Sequence, residues 1–189
     1  MDNPSTLLVA IMFVTILGIA IGNTLMTCAD IAGGLRRPVP ERLQISWILL
    51  MLFALLSLFW ETTALLEVED WLFIEFVYVI SGPMILLFAT SIITAAAPED
   101  LGVESHGHYL ELSGRFFLML ALHELWILGI DYWYANLNMI SLINAAMMFL
   151  FVVLALSSNL RLHVAGALLI WLGYLFSVVL RTLEATAAQ

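Results

Sequence analysis

An all-α bundle of membrane-spanning helices is the fold class this sequence predicts, on three observations. Six apolar stretches, each near the ~20 residues that cross a ~30 Å hydrocarbon layer, fill most of the 189 residues. Hydrophobic residues make up 63% of the chain and charged residues 11%, with a mean hydropathy of +1.04. Most charged side chains fall at the ends of the apolar stretches. A water-soluble domain could not keep so much apolar surface dry, whereas spanning helices satisfy their backbone internally and bury apolar side chains in lipid. The expectation is one polytopic transmembrane domain over residues 1–189, with six spans and no separate soluble domain.

The spans are read as 5–32, 43–66, 71–97, 113–134, 137–158 and 162–183, and their boundaries have chemical causes. Met1-Asp2-Asn3-Pro4-Ser5 lacks the basic region of a secretory signal, so the first apolar segment is expected to be retained. Gly33-Gly34 ends that helix, and Pro38 and Pro40 hold the next residues extended. Glu67, Glu69 and Asp70 make an acidic hairpin tip before the third helix. Pro98-Glu99-Asp100 opens the longest loop, and Ser113 is the expected cap of the fourth helix. Almost nothing separates the fourth and fifth helices around Ala135-Asn136, so these two should lie side by side and antiparallel.

Orientation follows from arginine. Arg36, Arg37 and Arg42 follow the first helix, Arg115 borders the loop before the fourth, and Arg161 lies between the fifth and sixth. With six spans these loops share one side, assigned to the cytoplasm, and both termini lie on the outer side; Arg181 is the dissenter. Trp71 and Tyr132-Trp133-Tyr134 are expected at the outer interface and Trp47 near the inner one.

Composition also excludes. The net charge is −9, and all the basic residues are arginine. Without a lysine there is no Schiff base for retinal or pyridoxal phosphate and no Walker-type phosphate loop. So acidic a chain is a poor nucleic-acid binder. Cys28 is the single cysteine, which rules out an internal disulfide and iron–sulfur or cysteine-rich zinc sites.

Ionisable groups inside a span need a partner, a neutral state or water. Hairpin topology puts Glu61, Glu75 and Asp131 at similar depth near the outer face, with Arg181, Thr62, Thr63, Asn138 and Asn144 in the same half. One reading is a cation or proton vestibule ringed by carboxylates; the other is an ion-pair network in which Arg181 neutralises one acid and interfacial water hydrates the rest. His123-Glu124 lies in the middle of the fourth helix. Glu124 and Asp131, seven residues apart, project from one face about 10 Å apart along the axis. A file running inward from Asp131 to Glu124, with His123 beside it, is what a proton path needs. The plainer alternative is a neutral Glu124 hydrogen-bonded to a neighbouring helix and a packed core histidine.

Ser81-Gly82-Pro83 lies at comparable depth in the third helix, where proline frees a carbonyl near residue 79; it is either part of the same polar centre, a hinge or a packing kink. Gly18-x-x-x-Gly22 offers a close helix contact, within the protein or in a dimer, that Asn23 could bond across. His106-Gly107-His108 with Glu104 is read as a polar loop with unspecific metal-binding spacing, so no metal is assigned. Central His123 and inner-edge His163 differ in depth by on the order of 15 Å, too far for one haem iron, and no cofactor is assigned.

Gly34-Leu35-Arg36-Arg37 closes the first helix, Phe59-Trp60 lies in the second, Pro98 follows the third, and Tyr109 and Arg115-Phe116-Phe117 open the fourth. In these the chain resembles an uncharacterised family of bacterial six-span integral membrane proteins, over most of its length. It departs from that family where a paired aromatic is replaced by Glu61-Thr62. The resemblance implies a bacterial inner-membrane, multi-pass location and no activity. Two functions are carried forward. One is translocation or sensing of a cation or proton through His123, Glu124, Asp131, Glu61 and Glu75, with Arg181 as ion-pair partner. The other is a non-catalytic accessory or scaffold subunit of a membrane complex. An enzyme is disfavoured, since no nucleophile–base spacing is present. The partners expected are membrane lipids, a cation or proton, and a second copy or a membrane-complex partner, with no nucleic acid.

Overall fold

The computed structural model describes residues 4–35, 42–68, 71–96, 105–133 and 139–187; the side chains of 61, 64, 67, 105, 106, 139, 140 and 176–187 lie outside that description, as do Asn138 and the Glu69-Asp70 and Pro98–Glu104 parts of the loops. The described residues form six α-helices, α1 Pro4–Ala32, α2 Arg42–Glu61, α3 Phe73–Ile93, α4 Ser105–Trp133, α5 Met139–Leu156 and α6 Leu160–Ala187, with a short 3-10 helix Thr62–Glu67 after α2. Four are long and apolar enough to cross a membrane: α1, Arg42–Trp60 of α2, α3, and Gly107–Trp133 of α4. In α5 and α6 the residues whose side chains are described form the apolar runs Ser141–Leu156 and Leu160–Leu175.

Local chemistry explains the boundaries. Gly34 adopts φ 66°, the left-handed position that costs glycine nothing, and α1 stops there. Leu35 N–H donates to Asp30 O and Gly34 N–H to Ile31 O, the paired bonds of a Schellman ending. The second helix does not run on unchanged to residue 66. Thr62 and Thr63 turn their hydroxyls back onto Leu58 O and Trp60 O, and the backbone tightens into the 3-10 turn.

The fourth helix starts at Ser105, eight residues before the expected cap. Ser113 is interior, buried, and donates to Leu110 O at 2.8 Å. The reason is that the buried stripe Tyr109, Ser113, Phe116, Phe117, Leu120 keeps helical spacing back past Ser113. The same start makes Gly107 and His108 helical instead of loop. His108 is buried, its Nε2 3.3 Å from Ala95 O beyond the end of α3.

The helices close a ring in the order α1, α2, α6, α5, α4, α3, with α2 also against α3. The α4–α5 pairing is the most extensive, as the short connection requires. At one end Thr6 Oγ1 donates to Val68 O at 2.7 Å and Ser141 Oγ to Asp131 Oδ2 at 2.7 Å; this is the acid end. At the other, Gln44 Nε2 donates to Ile93 O at 2.8 Å, an orphan carbonyl of the α3 terminus, and Tyr109 meets His163. Thus α2 to α6 alternate in direction between two shared ends. Trp171 Nε1 donates to Ser46 Oγ at 2.9 Å and Ser57 Oγ lies 2.7 Å from Tyr174 Oη, which ties α6 to α2.

Trp47 is not an interfacial ring. It is 1% exposed, edge-on to Phe116 and Phe117 at 5.8 and 4.8 Å, because α2 begins inside the crowded histidine end. Trp71 is half-buried against the core. Tyr132 and Trp133 are exposed, as interfacial rings would be. The Gly18 and Gly22 face makes no close contact inside the protein: a Cβ at either position meets nothing within 4 Å. Asn23 is exposed beside it.

Candidate functional site

The polar centre is built on the α3–α4 contact. Helix α3 passes through Pro83 without a break. One turn earlier, Tyr78 O accepts from Ser81 Oγ at 2.6 Å and from Trp126 Nε1 at 2.7 Å. Tyr78 Oη donates in return to Trp126 O at 2.9 Å. Two glycines make room for this reciprocal lock: a Cβ on Gly82 would overlap the Trp126 ring, and one on Gly129 would overlap the Tyr78 hydroxyl. Four rings then form a column from the acid end toward mid-helix. Trp133 and Tyr78 lie 6.5 Å apart, Tyr78 and Trp126 6.4 Å, and Trp126 and His123 5.4 Å, with interplanar angles of 26°, 26° and 32°.

His123 ends the column. Its Nε2 is enclosed and has no hydrogen-bond partner. An unpartnered buried ring nitrogen costs about 1–3 kcal/mol, a cost that Nε1 of Trp47 and of Trp71 shares; only the imidazole nitrogen can take up a proton. Glu124 follows it, half-buried. Asp131, seven residues on, accepts from Ser141 of α5, and Asn144 is half-buried one turn along α5 from Ser141.

The other expected acids are placed differently. Glu75 Oε2 accepts from Leu72 N–H at 3.0 Å and caps α3, a role that its position three residues into the helix favours. With Tyr78, Val79, Ile130 and Trp133 it lines a void of about 10 Å³, room for about one water. Glu61 ends α2, and Arg181 lies in α6; both side chains are outside the described residues. Buried Thr62 and exposed Thr63 are engaged with their own helix. His123, Glu124 and Asp131 therefore share one helix, while Glu75 faces that helix from α3 across the void.

A second histidine site has no counterpart in the sequence reading. His163 and Tyr109 are each 0% exposed, with Tyr109 Oη 2.8 Å from Nδ1 and Nε2 2.9 Å from Ser157 O. A carbonyl can only accept, so Nε2 carries hydrogen, and in the neutral ring Nδ1 accepts from tyrosine. Phe117 seals the ring edge-on at 5.2 Å. Both nitrogens are committed to holding the α5–α6 turn against α4. Tyr109 and His163 are 54 positions apart, and nothing local in the sequence pairs them. For the Tyr78–Trp126 lock, Gly82 and Gly129 were the available signal.

Among the described residues no three or more His, Cys, Asp or Glu side chains group so as to hold a metal ion. No protein-family model, curated protein or solved structure is found to match this chain.

Proposed function

We propose that this chain is a six-span, multi-pass protein of a bacterial inner membrane, both termini outside, that moves a proton or cation through His123 and Glu124. The observation that carries the reading is the enclosed, unpartnered Nε2 of His123 beside Glu124, midway along a helix apolar enough to cross a bilayer. Ionisable groups at that depth are costly, and they pair across helices or mark ion pathways. Asp131 supplies a polar step on the same face toward the acid end, with Glu61 and Arg181 assigned to that level. Glu75 contributes as a cap and as a wall of the small void. The location draws on the family resemblance, and the orientation on the arginine distribution.

The test is flux in liposomes containing the purified protein or its Glu124→Gln variant. Proton or cation movement that the substitution reduces is the expected result. No flux from either protein would remove the reading, and stoichiometric co-purification with another membrane protein would then favour an accessory subunit.

A further inference from the structure

We infer that the ion served by this site is the proton, taken up on His123, and not a metal cation. The inference rests on the transport reading above and narrows it. It stands on the donor set around the column.

A dehydrated metal cation needs several ligands at once: about four for zinc and six to eight oxygens for calcium. Monovalent cations passing through proteins are met by rings of carbonyls or carboxylates that replace their water. Mid-helix, α4 offers one imidazole and one carboxyl on consecutive residues, and no metal-holding group of side chains occurs among the described residues. Pro83 frees a single carbonyl near residue 79, which adds one oxygen and leaves such a shell incomplete. Helix α3 stays helical through Pro83, and Tyr78 O already accepts from both Trp126 and Ser81. The Trp126 carbonyl is taken by Tyr78 Oη.

A proton needs far less: one basic nitrogen and one neighbour to pass it on. His123 Nε2 is enclosed and unengaged, so it can accept a proton without breaking an existing bond. The Trp126 ring 5.4 Å away gives an imidazolium an aromatic neighbour in place of water. Other titratable groups facing the column are already engaged: Tyr78 of α3 with Trp126 O, Asp131 with Ser141 of α5, and Glu75 with the α3 terminus. The contrast with His163, whose two nitrogens are both bonded, singles out His123 as the carrier.

The experiment reconstitutes the full chain in phosphatidylcholine–phosphatidylglycerol vesicles. An internal pH dye reads protons, and sodium and potassium indicators read metal cations, each under its own imposed gradient. The expected result is proton flux without sodium or potassium flux, falling to the protein-free level in His123→Gln and Glu124→Gln. Sodium or potassium flux in the wild type, or proton flux undiminished in His123→Gln, would overturn the inference while leaving ion movement standing. No flux of any ion would overturn both. Far-UV circular dichroism and gel filtration verify the variants, with His123→Asn as a second substitution; the wild-type ion comparison needs no variant.

Discussion

His123 and His163 are the same side chain under opposite conditions. His163 is closed between Tyr109 and the Ser157 carbonyl, and each bond has a buried partner that would be orphaned by its loss. Tyr109→Phe is therefore expected to destabilise the protein by about 1–3 kcal/mol, read by denaturant or thermal unfolding in detergent. His123→Leu deletes an enclosed nitrogen that has no partner and should leave stability unchanged or raise it by up to about 1–3 kcal/mol, while abolishing proton flux. A large loss of stability in that variant would assign His123 to packing. The sequence marks His123 and Glu124, because polarity inside an apolar run is visible directly. It does not mark Tyr109 with His163, since their pairing depends on α4 and α6 meeting at one end of the bundle.

Between helices, small residues decide how closely backbones approach, because lipid removes most of the hydrophobic drive for one helix to prefer another. Gly82 and Gly129 are the points where α3 and α4 interlock through Tyr78 and Trp126. Gly82→Ala should lower stability by about 1–3 kcal/mol, since the added methyl displaces the indole ring. Gly18→Ala, which meets open space on α1, should be neutral or slightly stabilising in the same unfolding assay. The Ser81-Gly82-Pro83 run could be read from the sequence, but its partner could not: Trp126 is one aromatic among many in an apolar helix. The early start of α4 was legible in the spacing of Tyr109, Ser113 and Phe116, and was hidden by the polar look of Ser105 to His108. Trp47 misleads for a related reason. Near a helix start a tryptophan suits the headgroup layer, and only the convergence of Phe116 and Phe117 draws it inward.

Across the whole molecule, apolar length and alternating direction account for the architecture. Among the described residues four helices carry enough apolar length to cross a membrane, and α5 and α6 pack on α4 and α2. The acid end gathers Thr6, Val68, Glu75, Asp131 and Ser141, and the histidine end gathers Gln44, His108, Tyr109 and His163. The sequence anticipates this clustering through its short turns. It does not anticipate that Glu75 caps a helix and that Asp131 bonds a serine. A proton route from the acid end requires that end to face one compartment as a unit. Single cysteines placed at Leu66, Tyr132, Leu35 and Asn159 in a Cys28→Ser background, all exposed positions, test this with a membrane-impermeant maleimide applied to intact cells. The account predicts labelling of 66 and 132 from outside and of 35 and 159 only after the membrane is opened. Labelling of 66 and 132 from opposite compartments would contradict it.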